Sequence, residues 1–77
     1  MKITVYGPGC AKCKQTEEIV RRAIAEAGAE AEVEKVGEIR EMVKAGVMRT
    51  PAVAVDGVVK LAGRVPAAEE VRAWLVG

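Results

Sequence analysis

The polar and apolar positions of the chain fall into seven short blocks, each with its own period. The first, Ile3, Thr4, Val5 and Tyr6, is a β-prone run that stops at Gly7, Pro8 and Gly9. After Cys13 the residues Thr16, Val20, Ala23, Ile24 and Ala27 step by four, three, one and three, the apolar stripe of an amphipathic helix. That helix is expected from about Ala11 to Ala27, with Gly28 as its stop. Glu17 with Arg21 and Glu18 with Arg22 sit at favourable spacing on its wet face. Ala29, Ala31 and Val33 then alternate with Glu30, Glu32 and Glu34, which predicts a strand with one buried face. Its row of glutamates suits a sheet edge, where charge deters unwanted pairing.

A shorter helical segment follows, with Ile39, Met42 and Val43 expected on its inner side and Gly46 as its stop. Arg49, Thr50 and Pro51 lead into Ala52, Val53, Ala54 and Val55. Asp56-Gly57 joins these to Val58, Val59, Lys60 and Leu61, a strong hairpin signal. Gly63 and Pro66 interrupt the chain before Ala68, Val71, Trp74 and Leu75 recur at helical spacing. Glu69 and Glu70 lie in the first turn of this last helix, where the dipole favours them, and Trp74 is expected to anchor the core.

The predicted order is βαβαββα. A strand–helix–strand start makes a right-handed parallel unit, and a two-residue hairpin adds an antiparallel pair. The expectation is an α/β architecture with a mixed four-stranded sheet flanked by three helices, all within one domain spanning residues 1–77.

Composition narrows the function. The chain is 51% hydrophobic and 30% charged, the profile of a folded globular protein rather than a disordered one. Twelve Lys and Arg against eleven Asp and Glu leave a net charge of +1. That balance argues for neither nucleic acid nor an anionic membrane as partner. No run approaches the ~20 apolar residues of a membrane span. Strand-like sequence also begins at once, without a secretory leader, so a cytoplasmic protein is expected. The absence of histidine and serine excludes Ser and His triads.

Chemistry concentrates in Cys10-Ala11-Lys12-Cys13, which holds both cysteines. Cys10 falls where a strand hands over to a helix, at a terminus whose N–H groups and dipole favour a thiolate. Lys12 and Lys14 add positive charge nearby in sequence, which is expected to favour the Cys10 thiolate. Cys13 follows about one turn later on the same side, close enough for a disulfide. The loop is too small for a useful structural staple. A four-ligand zinc site would need more thiolates or imidazoles than one chain offers. Redox exchange remains, with Cu(I) carriage by the two thiolates as the alternative.

Cys10 and Cys13 after the first strand, together with Thr50-Pro51 opening the strand before an Asp-Gly hairpin, resemble a thioredoxin fold reduced to its core. The length and the run Thr50-Pro51-Ala52-Val53 are most similar to the small, glutaredoxin-sized thioredoxin-like proteins of archaea and bacteria. The match covers nearly the whole chain. The resemblance implies a cis Thr50–Pro51 bond beside the cysteines, with the Thr50 backbone open to an extended substrate segment and metals crowded out.

It further implies a thiol–disulfide oxidoreductase in which Cys10 attacks, Cys13 resolves, and Tyr6, Pro8, Arg49, Thr50 and Pro51 line the substrate groove. The expected partners are disulfide-containing protein substrates and a reductase or low-molecular-weight thiol; no cofactor is expected.

The chain also departs from the families it resembles. Larger thioredoxins frame their cysteines with tryptophan and Gly-Pro, and their buried acid would align with Thr4. Glutaredoxins carry Pro-Tyr between the cysteines and a lysine where this chain has Gly7. Small copper chaperones share the cysteine spacing, but their fold ends on a strand, whereas a helix is expected here.

Overall fold

The structure, a computed structural model, describes residues 1–9 and 11–76. Seven elements follow in the expected order: β1 (Lys2–Tyr6), α1 (Ala11–Ala27), β2 (Glu32–Val36), α2 (Ile39–Lys44), β3 (Ala52–Val55), β4 (Val58–Ala62) and α3 (Ala68–Val76). The four strands form one sheet in the order β2-β1-β3-β4. β1 runs parallel to β2 and antiparallel to β3, and β3 pairs antiparallel with β4. The sheet is therefore mixed, and the architecture is a thioredoxin fold.

Period-two alternation divides the sheet into two packed faces. Ile3 and Val5 of β1, Val53 and Val55 of β3 and Leu61 of β4 point to one side, where Val20 and Ala23 of α1 and Val71 of α3 close on them. Ile19, Ile24, Ala31, Val33, Trp74 and Leu75 rim this main core. The opposite face carries Ala52 with Met42 and Val47, bordered by Tyr6, Ala45 and Val59. β3, central and covered on both sides, is buried at all four positions, as its run of Ala and Val requires.

β2 is an edge strand, and its glutamates face solvent while Val33 and Val36 are half-buried. Lys2 on β1 pairs with Glu34 across the parallel ladder. The strand starts at Glu32, later than the alternation from Ala29 suggests, because β1 itself begins only at Lys2 and the two are in register Lys2 with Glu32. At the other edge, Asp56 and Gly57 make the hairpin turn with φ of 49° and 86°. A two-residue hairpin needs such values, which Asp and Gly tolerate best. The turn is fastened to the start of β1: the Asp56 N–H donates to the Lys2 carbonyl and the Asp56 carboxylate accepts from the Lys2 N–H, each at 2.8 Å. β4 carries a bulge at Lys60, where Val53 faces Leu61 but Ala54 faces Val59.

Two expectations about helix faces are corrected. Of Ile39, Met42 and Val43, only Met42 is buried; Ile39 and Val43 are 77% and 67% exposed. A helix of six residues has less than two turns, and the small Ala52 beneath it leaves room for one large side chain. Ala27, placed on the stripe of α1, is also exposed; it is the last residue of the helix, past Ala23 and Ile24, which pack on the main core. None of the described helices is long and apolar enough to cross a membrane.

The last element, α3, starts with half of a capping box, the Glu side chain three residues on reaching back to the N-cap N–H. Glu70 accepts from the Ala67 N–H at 3.1 Å and forks onto the Arg64 guanidinium through two bonds of 2.7 Å. The Arg64 fork, aided by that N–H, holds the Glu70 carboxyl down at about 2, below its ordinary 4.5.

Candidate active site

β1 ends at Tyr6, and the loop that follows, Gly7 to Gly9, carries the chain to Ala11, the first residue of α1. Cys10 lies between them and is outside the described residues, so the site is built from what surrounds it in sequence. Cys13 sits on the first turn of α1 and is buried, with 5% exposure. The turn that carries it is held by Thr16, a fully buried residue whose hydroxyl donates to the Lys12 carbonyl at 2.8 Å. That bond leaves the buried Thr16 oxygen with a partner. The Lys12 and Lys14 side chains are exposed.

The Cys13 sulfur packs against the Cα of Gly7. A methyl carbon built on Gly7 would overlap Cys13 Sγ and would lie 3.1 Å from Cys13 Cβ and 3.9 Å from Thr50 Cβ. Cys13 and Thr50, far apart in sequence, therefore converge on one glycine. The Thr50–Pro51 peptide bond is cis. Pro51 is fully buried and its carbonyl accepts from the Gly63 N–H at 2.9 Å, tying the start of β3 to the end of β4.

The remaining residues expected at the groove differ in exposure. Pro8 and Arg49 are exposed, and Thr50 is half-buried. Tyr6 is half-buried as well, because its ring borders the small cluster of Met42, Val47 and Ala52. Arg49 lays its side chain along Gly63, with Cδ 3.2 Å from where a methyl on that glycine would stand. Pro51 offers no side-chain surface, so of the expected lining residues it can act only through the backbone around it. Thr4, at the position of the buried acid in larger thioredoxins, is a buried hydroxyl residue with 9% exposure.

Sequence reasoning did not single out Gly37, which backs this site from behind. Gly7 donates its N–H to the Val36 carbonyl at 2.9 Å. A methyl on Gly37 would stand 3.2 Å from the Gly7 carbonyl oxygen. The only signal in the sequence is a glycine directly after the β2 pattern. A concavity of about 630 Å³, lined by Met1, Lys2, Glu30, Ala31, Glu32 and Asp56, lies at the opposite end of β1 and touches none of these residues.

Comparison with known proteins agrees with this geometry. A family model described as a thioredoxin domain matches residues 1–76. A protein named thioredoxin from Methanothermobacter thermautotrophicus is 44% identical over 72 residues, 94% of this chain and 94% of its own. Another thioredoxin, from Methanocaldococcus jannaschii, is 41% identical over 70 residues, 91% of this chain and 80% of its own. These relatives lend the Cu(I) alternative no support. The chain belongs to the thioredoxin family, whose members are thiol–disulfide oxidoreductases.

Proposed function

We propose that this protein reduces or exchanges protein disulfides through Cys10 and Cys13. The Cys10 thiolate attacks one sulfur of a substrate disulfide; that S–S bond breaks, and the other substrate sulfur leaves as a thiolate and takes up a proton. The Cys13 thiolate then attacks the Cys10 sulfur of the mixed disulfide. A Cys10–Cys13 bond forms and the second substrate thiol departs. Two electrons thus pass from the dithiol to the substrate, and the pair is recharged by a reductase or a low-molecular-weight thiol.

The observation that carries this reading is the convergence of Cys13 and Thr50 on Gly7. It supports a resolving cysteine that is shielded from solvent yet adjacent to backbone able to hold an extended substrate segment. Cys10 precedes α1 directly in sequence, where helix N–H groups and the Lys12 and Lys14 charges stabilise a thiolate. We assign the reachable wall of a substrate groove to Pro8, Arg49 and Thr50, which are exposed or half-buried, and less accessible supporting roles to Tyr6 and Pro51. We place the reaction in the cytoplasm, whose reducing pool keeps such a pair cycling. The near-neutral charge fits protein substrates rather than nucleic acid or membrane surfaces.

Substituting each cysteine separates the two steps. Cys10→Ser is expected to abolish disulfide reduction, and Cys13→Ser to accumulate a mixed disulfide visible by mass spectrometry under acid quench. Turnover of a protein disulfide by Cys13→Ser at the wild-type rate would overturn the two-cysteine mechanism.

A further inference from the structure

Gly7 stands at a position where nothing in the backbone demands glycine. Its φ lies outside the left-handed region, unlike that of its neighbour Gly9 at 88°. What a side chain would meet there is the Cys13 sulfur, with which a methyl carbon would overlap. Nonbonded carbons settle at about 3.5–4.0 Å, so the 3.1 Å left to Cys13 Cβ is tight but needs only a shift of a few tenths of an ångström, whereas the overlap with the sulfur cannot be relieved that way. We propose that Gly7 is a positioning residue for Cys13: the missing side chain is the seat that aims the resolving sulfur. This inference rests on the two-cysteine reading above.

The seat cannot be vacated cheaply from the loop side. Gly7 is fixed by its N–H bond to the Val36 carbonyl and backed by Gly37, whose own missing side chain lets the Gly7 oxygen approach. These two ties resist retreat of the loop, so the sulfur is the part expected to yield. Side chains sit in staggered χ1 wells, and a change from one well to another carries a sulfur roughly 3 Å. Cys13 is also held on a turn braced by the buried Thr16 hydroxyl, which limits compensation by the helix. Resolution is a displacement at sulfur that needs its nucleophile aligned, and a misplacement of about 1 Å in a reacting group can cost on the order of 100-fold. Attack on the substrate does not use the Cys13 sulfur, so Gly7 acts on resolution alone.

The test compares reduced wild type with Gly7→Ala, using dithiobis(nitrobenzoate) in stopped flow. The first thiolate released reports attack on the disulfide, and the second reports its displacement by the resolving cysteine. Gly7→Ala is expected to leave the first phase near its wild-type rate and to slow the second by about 100-fold, with the mixed disulfide trapped under acid quench. A folded Gly7→Ala whose second phase matches wild type overturns the inference, as does one in which both phases slow alike, the mark of a purely structural role. Should Gly7→Ala fail to fold, Gly7→Ala with Cys13→Ala, which removes the overlapped sulfur, is expected to fold; an unfolded double variant overturns the inference. Wild type that releases no thiolate would refute the exchange reading instead, and the stability comparison of the single and double variants then decides the steric claim by itself.

Discussion

Two valines of the hairpin β3–β4, one buried in mid-sheet and one exposed beside the turn, provide a quantitative check on the core. Val53 has no exposed surface and sits in the middle of the sheet, paired with Val5 on one side and Leu61 on the other. Val53→Ala deletes two buried methyl groups. At ~0.8 kcal/mol each the lost transfer energy is ~1.6 kcal/mol. The cavity left behind adds up to about 1 kcal/mol, because neighbours tied into both ladders cannot collapse fully. The expected loss is therefore ~2–3 kcal/mol.

A chain of 77 residues has a total stability of about 4–12 kcal/mol, so this loss is a large share. Val58, in the same hairpin, is 58% exposed, and Val58→Ala should cost less than about 0.5 kcal/mol. Urea unfolding followed by fluorescence of Trp74, which packs on the main core, measures both. The midpoint of Val53→Ala should fall at unchanged slope, and its Tm by about 10–20 °C. Equal losses at the two valines, or a loss below about 0.5 kcal/mol at Val53, would refute the assignment of Val53 to the core.

Two further substitutions probe the surface. Arg49→Ala should raise KM about fivefold for disulfides flanked by acidic residues, the order of ~1 kcal/mol expected of an exposed ion pair; an unchanged KM removes Arg49 from the groove. For Glu70, the depressed carboxyl means that its pairing with Arg64 stabilises the fold fully above its ordinary value of 4.5 and loses that contribution as pH falls through about 2. NMR titration should show Glu70 ionised down to that range in wild type and shifted upward in Arg64→Ala; a wild-type Glu70 that titrates at its ordinary value would contradict the fork geometry.

The sequence revealed most of the fold because its strongest signals are local. The stripe from Thr16 to Ile24 is long enough to fix α1, and Asp56-Gly57 between two valine-rich runs leaves little choice but a hairpin. The inner side of α2 was misjudged because Ile39, Met42 and Val43 share one helical stripe, and a six-residue helix over small alanines buries only part of it. The site was legible as two motifs, the cysteine pair and Thr50-Pro51. Their meeting point was not. Gly7 and Gly37 matter for what they lack, and only the packing of β1, β2 and α1 brings that empty space against Cys13 and Thr50. A glycine beside a proline in a loop otherwise reads as punctuation.

The central claim is that Cys10 and Cys13 act as one two-electron couple. Its most direct test is a redox titration of the metal-free protein in glutathione buffers, with remaining thiols counted by alkylation and mass spectrometry. Both thiols should disappear together in one reversible two-electron transition, at a potential between about −180 and −270 mV. Thiols that stay reduced across the series, or that react singly to join two chains, would contradict the account.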